Sequence, residues 1–213
     1  MTELMAVTFN LDKAKQFYSM DGEGFGTGAT VVVQGVGPMG LLHVVKSRIL
    51  GAGDIIAIDG STFRLEMAKR FGADYTINIR EMTAEERIER VRELTDGRGA
   101  DLVVECAGVA EAILEGLEMA RRGGMYIVAG VFADVGEVMI NPHRHLAARG
   151  IRLIGLTNHP PTAYLPSLKL IEKFKNTFPF DEFVTHEFGI EEAEAAMQQA
   201  FDIDHAMKVV IAP

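Results

Sequence analysis

Residues 30–59 read TVVVQGVGPMGLLHVVKSRILGAGDIIAID, and this stretch decides the fold. It opens on Val31, Val32 and Val33, a short β-branched run suited to a strand buried on both faces of a parallel sheet. Gly35, Gly37 and Gly40 follow at G-x-G-x-x-G spacing. Leu41, Val44, Val45 and Ile49 then recur at three- and four-residue steps, the period of a helix that Gly51 and Gly53 break. A second apolar run, 55–58, ends in Asp59. Strand, glycine turn, helix, strand and acid is the order of a dinucleotide-binding βαβ unit.

Each residue has a task in that reading. Gly35 allows the tight turn out of the strand, Gly37 lets backbone approach a pyrophosphate, and Gly40 lets the helix lie close to the strand. The first helical turn offers N–H groups without intrahelical partners, and the helix dipole adds partial positive charge; both favour a phosphate. Pro38 falls where a missing N–H costs little. Asp59, about twenty residues beyond the turn, can accept from both adenosine ribose hydroxyls and would repel a 2′-phosphate, which favours NAD over NADP. A glycine turn without a ligand, or a methyltransferase with a similar first loop and acid, are the competing readings.

Working outward, residues 1–20 read as a lead-in helix with Leu4, Ala6, Val7, Leu11, Ala14, Phe17 and Tyr18 on one stripe, and 21–28 as a glycine-rich connector. Beyond Asp59 the alternation continues. Ser61 or Thr62 caps a helix reaching Arg70; 75–79 is a third strand; Thr83 and Glu86 form a capping box. Strands are expected at 102–104, 126–132 and 151–156, with a short one at 138–140, and helices at 110–122 and 142–148. This predicts an α/β fold: a Rossmann-type, doubly wound, six-stranded parallel sheet over 21–157, with a ligand beyond the carboxyl ends of the strands, near loops 35–40, 59–64, 106–109, 129–132 and 154–157. From 158 to 213 the texture changes: helices near 162–176 and 190–201, an extended piece at 183–188 and a strand at 207–211. This tail reads as a returning segment of a second domain.

The chain has 213 residues, 48% of them hydrophobic, and a formal net charge of −9, which argues against a nucleic-acid or anionic-membrane surface. One cysteine, Cys106, leaves no internal disulfide and no Cys-rich zinc site. No signal peptide or membrane span is legible, so the cytoplasm is the expected compartment.

The ordered set VVVQGVGPMGLL, IDGSTFRLEMAKRFGAD, GRGADLVVECAG, RRGGMYIVAGVF, INPHRHL before IRLIG, and FDEFVTHEFGIEEAEAAM with a terminal KVVI resembles the zinc-type medium-chain dehydrogenases, the alcohol, polyol and threonine dehydrogenase group. The methyltransferase reading falls accordingly. The resemblance implies that Gly35, Gly37, Pro38, Met39 and Gly40 surround the pyrophosphate of NAD, and that Asp59 binds the ribose. It places Arg64 along the adenosine, with Ala107 and Gly108 flanking it. It assigns Ala129, Gly130, Val131, Gly155 and Leu156 to the nicotinamide through backbone groups, and Lys208 to the pyrophosphate. The plain readings stand beside two of these: a solvated strand residue for Lys208 and a helix-start charge for Arg64.

The resemblance also implies a catalytic zinc in an N-terminal domain that these 213 residues do not include. Thr8 stands nearest the place of the family's third metal ligand and is a poor zinc ligand. His143 and His145 lack companions at ligand spacing, and Cys106 reads as a buried, inert thiol. No residue of this chain is therefore expected to be catalytic or to hold metal. The expected function is that of an NAD-dependent oxidoreductase moving a hydride between a small alcohol or polyol and nicotinamide, with this chain supplying the cofactor-binding part and, as a fragment, inactive. The alternative is a non-catalytic NAD(H)-binding regulatory module. A homodimer or homotetramer is expected through the 151–156 strand.

Overall fold

The computed structural model describes residues 1–12, 14 and 25–213. The chain begins with α1 (Thr2–Thr8) and a single 3-10 turn, Phe9–Leu11; most of the remainder of the 1–20 reading lies outside the described residues. Phe17, Tyr18 and the 21–24 part of the glycine-rich connector lie outside the described residues. Next come β1 (Val31–Gln34), α2 (Pro38–Ile49), β2 (Ile55–Asp59), α3 (Thr62–Arg70), β3 (Tyr75–Asn78), α4 (Ala84–Glu93), β4 (Ala100–Glu105), α5 (Ala110–Met119), β5 (Ala120–Val128) and β6 (Arg152–Gly155). The strands form one parallel sheet in the order β3-β2-β1-β4-β5-β6. The doubly wound, six-stranded Rossmann-type sheet expected from the alternation is what the chain forms. Winding reverses at β1, which pairs with β2 on one side and β4 on the other.

Two-sided burial explains the run of apolar residues in the central strands. Val31, Val33, Ile55, Ala57, Leu102, Val104, Met125 and Ile127 face one layer with Leu41, Leu42, Val44 and Val45 of α2 and Leu65 and Ala68 of α3. The intervening Val32, Ile56, Ile58, Val103 and Tyr126 face the other, with Val91 of α4 and Leu117 of α5. Each buried aliphatic side chain contributes about 1.5–3 kcal/mol, so the period-2 alternation of strand faces fixes the register. The caps fall where expected: Ser61 Oγ accepts from Arg64 N at 3.2 Å, and Thr83 and Glu86 close a capping box on α4.

Several elements differ from the sequence reading, through contacts between residues far apart in the chain. The helix expected to run to 122 ends at Met119. Arg149 donates to the Leu117, Glu118 and Ala120 carbonyls and so ends it early. β5 then starts at Ala120, and its register with β4 jumps from Ala100–Ala120 to Leu102–Met125, so that residues 121–124 bulge out. β5 stops at Val128 rather than 132 because the Glu105 side chain takes the Gly130 N–H. No strand forms at 138–140, where Met139 is 89% exposed, and 142–148 folds as a π turn, Pro142–Leu146, and a 3-10 turn, Ala147–Arg149.

The tail carries α6 (Tyr164–Phe174), β7 (His186–Gly189), α7 (Ala193–Phe201) and β8 (Val209–Ala212), with β7 and β8 in a parallel two-stranded sheet. Phe178, Phe180, Phe183 and Met207 join the core of the large sheet, Phe180 meeting Phe71 edge to face at 6.2 Å. α6 packs against α1 and presses Ile171 onto that core, but leaves Leu165 60% and Leu168 52% exposed.

His43, fully buried on α2, donates from Nδ1 to the Met39 carbonyl at 2.9 Å, since a carbonyl only accepts. Burial pulls its pKa down to about 4. A pKa lowered on folding means that the unfolded chain takes up the proton first. The stability contribution is therefore complete above about pH 6.5 and is lost as the pH falls towards 4. At pH 5 this amounts to about 2 kcal/mol. Urea unfolding at pH 7 and pH 5 should show a pH-dependent loss about that much larger in the wild type than in His43→Leu. Equal losses would mean that His43 is not held neutral.

Candidate functional site

Three contacts shape the turn between β1 and α2. Gly35 has φ +80°, and a Cβ there would meet the Ala107 backbone at 2.7 Å. A Cβ on Gly40 would lie 1.8 Å from the Gly35 carbonyl oxygen, so only glycine lets α2 approach β1 this closely. Gly37 differs. It precedes α2 with Pro38 in the first helical position, and a Cβ there would meet only the flexible Arg64 guanidinium, at 3.5 Å or more. Its missing side chain therefore leaves space open at the helix N-terminus, whose first-turn N–H groups and dipole suit an anion.

Asp59 ends β2 beside this turn and is 9% exposed. Its Oδ2 accepts from Val36 N at 2.8 Å and its Oδ1 from Ser61 N at 2.9 Å. Each carboxylate oxygen retains a lone pair. The carboxylate thus holds the two loops together and still presents acceptors.

A groove of about 590 Å³ runs over the carboxyl ends of β1, β2 and β4. Gly35, Gly37, Pro38, Met39, Asp59, Arg64 and Ala107 line it. Gly40 lies behind the turn, under the Gly35 carbonyl. Arg64 spans the opening, with its guanidinium near Gly37 and 3.4 Å from the Ala206 carbonyl. Gly108, Ala129, Gly130, Gly155 and Leu156 form the neighbouring edge at the ends of β4, β5 and β6. The Leu156 N–H reaches the Val128 carbonyl, and Ala129 N–H the Glu105 carbonyl. Val131 follows in the same loop, half-buried. Lys208 is not among the groove-lining residues; its carbonyl accepts from Thr185, and its charge acts on the Met1 amino group.

Sequence reasoning missed Glu105. The residue is fully buried at the end of β4, and its carboxylate accepts from Gly108 N and from Gly130 N, the latter at 3.0 Å. It ties the loops after β4 and β5 into one rim. An acid at the end of an apolar strand was the available signal. Also missed were Arg87 and Glu115, a pair at the groove floor with Nε to Oε1 at 2.7 Å; the Glu115 carboxylate raises the Arg87 pKa. Arg80, likewise on the groove, grips Asp204 with both terminal nitrogens at 3.0–3.1 Å.

The remaining chemistry-bearing residues lie away from the groove or are occupied locally, except His159, whose buried Nδ1 has no hydrogen-bond partner among the described residues. Thr8 is buried and donates to the Met5 carbonyl at 2.7 Å. His145 Nδ1 accepts from Asn141 N, and His159 meets Tyr164 edge to face at 4.9 Å. Cys106 faces the groove, but burial around its sulfur and the Glu105 charge push its pKa well up, so it is no thiolate nucleophile. Among the described residues no three His, Cys, Asp or Glu side chains converge as a metal site.

A glycine turn at a helix N-terminus, an acid at the end of the second strand, and a groove at the winding reversal are the features of a Rossmann-type α/β domain. Residues 38–173 match the family described as zinc-binding dehydrogenase, and the chain belongs to that family. It is 39% identical over 169 residues to 5-exo-hydroxycamphor dehydrogenase of Pseudomonas putida, covering 79% of this chain and 46% of that protein. Over 187 residues it is 35% identical to a sorbitol dehydrogenase of Halalkalibacterium halodurans, covering 87% and 52%. The solved alcohol dehydrogenase of Thermotoga maritima superposes with a TM-score of 0.84 at 33% identity, over all of this chain and 55% of that one. The chain thus spans about half the length of the relatives it matches.

Proposed function

We propose that this chain is the NAD-binding part of an oxidoreductase that moves a hydride between a small alcohol or polyol and nicotinamide. The observation that carries the reading is the β1–α2 turn. Gly35 and Gly40 are required by backbone packing, whereas Gly37 keeps space open over a helix N-terminus beside the Asp59 carboxylate. That is the geometry for a pyrophosphate and an adenosine ribose.

The bound nicotinamide supplies the hydride chemistry, and this chain's residues bind and orient it. In this reading Gly37, Pro38 and Met39 receive the pyrophosphate, and Asp59 accepts from the ribose hydroxyls and disfavours a 2′-phosphate. Arg64, Ala107 and Gly108 flank the adenosine. Backbone groups at Ala129, Gly130, Val131, Gly155 and Leu156 line the nicotinamide end, on the rim that Glu105 holds. Lys208 is assigned to the pyrophosphate. With no convergent ligand set among the described residues, no step is assigned to a metal on this chain; zinc is attributed to residues outside these 213. The tail from 158 to 213 is attributed to the catalytic domain, in line with the exposed Leu165 and Leu168. The cytoplasm is the proposed compartment; among the described residues no helix is long and apolar enough to cross a membrane.

Calorimetric titration with NAD and NADP tests the cofactor assignment. The wild type should prefer NAD, and Asp59→Asn should lose about 1.5–3 kcal/mol of NAD affinity, the worth of hydrogen bonds to a charged acceptor. Gly37→Val should lose NAD binding with little change in thermal stability, because a Cβ fits the protein there. Equal affinity for both cofactors would remove the role of Asp59; unchanged NAD binding in Gly37→Val would move the phosphates off this turn.

The same protein should hold no stoichiometric zinc and form no NADH from a panel of alcohols and polyols. Metal analysis and an absorbance assay check this; one zinc per chain with turnover would overturn the division of labour.

β6 is the sheet's outer strand, with Leu153 39% exposed, and such an edge needs a cover. Pairing of two β6 strands about a two-fold axis should give a dimer by light scattering at micromolar concentration. A monomeric mass would argue against it.

A further inference from the structure

A second cleft, of about 790 Å³, opens at the amino ends of β4 and β5, away from the glycine turn. Arg92, Arg98, Arg121, Arg122, Arg144 and Arg149 line it. Asp101 and Glu118 are the carboxylates among its lining residues, which leaves an excess of four positive charges. This stands on a chain whose net charge is −9. We propose that this cleft is a binding site for a phosphate chain, of the triphosphate class, distinct from the cofactor groove.

The plain alternative is that these arginines serve the fold, and part of the set does. Arg149 caps the end of α5, with Nη1 2.9 Å from the Leu117 carbonyl. Arg121 bonds Asp101, and Arg144 lies 2.8 Å from Glu118. The C-terminal ends of α4 and α5 point into this region, each worth roughly half a negative charge. Two helix ends offset about one of the four surplus charges, and Glu89, 3.5 Å from Arg92, offsets another, which leaves about two. Arg98 stands 3.8 Å from Asp101 and Arg92 3.9 Å from Glu118, both longer than a hydrogen bond. Arg98 and Arg122 are exposed at the mouth.

The crowding is felt inside the cluster. Arg149 has its pKa lowered, first by burial and then, against the help of Glu118, by the charges of Arg92, Arg144 and Arg122. A bound polyanion relieves that repulsion. Guanidinium forks match phosphate oxygens two at a time, and several of them around one cleft suit linked phosphates better than a single carboxylate. The volume lies in the range of small-molecule sites, roughly 300–1,000 Å³. The acidic balance of the whole chain disfavours nucleic acid there.

Inorganic tripolyphosphate and ATP, titrated side by side by calorimetry into the 213-residue protein at about 150 mM salt, test this, since exposed charges are then screened beyond about 8 Å. Saturable one-to-one binding is expected, weakened about tenfold or more in the Arg98→Gln, Arg122→Gln double variant. It should persist in Gly37→Val, which separates this cleft from the cofactor groove and from the proposed function. Equal affinities would identify the phosphate chain as the ligand, and tighter ATP a nucleotide. No saturable binding of either probe, affinity unchanged in the double variant, or loss in Gly37→Val would each overturn the proposal.

Discussion

The contact on which the structure depends is the approach of α2 to β1. The Gly35 carbonyl oxygen occupies the space that a Cβ on Gly40 would need. With any side chain at 40 the helix must move outward, away from Leu102, Val104 and the rest of the layer that Leu41, Val44 and Val45 fill. The same approach brings the helix N-terminus up to the end of β1, next to the end of β2. A packing constraint and a binding geometry are therefore one arrangement. Gly35 and Gly40 serve the packing; Gly37 is the member of the triad whose missing side chain the fold itself does not use.

Two buried carboxylates then hold the rim. Asp59 clamps Val36 N and Ser61 N, linking the first two strand ends. Glu105 clamps Gly108 N and Gly130 N, linking the next two. Loop backbone at a sheet's carboxyl edge has no ladder partner, and an unpaired buried N–H costs about 1–3 kcal/mol. Supplying acceptors from strand ends keeps these loops ordered without closing the groove above them. In the cofactor reading, Asp59 has a second duty towards the ribose, while Glu105 acts only through the loops it positions.

Much of this was legible in the sequence because the signals are local. The glycine spacing and the caps at Ser61 and Thr83 act within a few residues of themselves, and Asp59 is legible from its place at the end of the second apolar run. What escaped depends on residues far apart in sequence. The end of α5 at Met119 follows from the guanidinium of Arg149, so a helix pattern running to 122 could not reveal it. The early stop of β5 follows from Glu105. Arg64 lines the groove, and the Lys208 carbonyl pairs with Thr185. The arginines of the second cleft are spread over residues 92–149, and only the sheet brings them together.

The two clefts have a common origin. In a parallel sheet with crossover helices, the helices antiparallel to the strands present their N-termini at the carboxyl edge and their C-termini at the amino edge. The carboxyl edge thereby gains unpaired N–H groups and partial positive charge, and can take an anion with glycine alone. The amino edge gains carbonyls and partial negative charge, which draw arginines as caps, as Arg149 does on α5. Capping needs one or two cations per helix end. The six found around α4, α5 and the bulge at 121–124 exceed that need, and the bulge itself projects Arg121 and Arg122 beyond the ladder. An anion site built from side chains at one edge and one built from backbone at the other both follow from the direction of the helices.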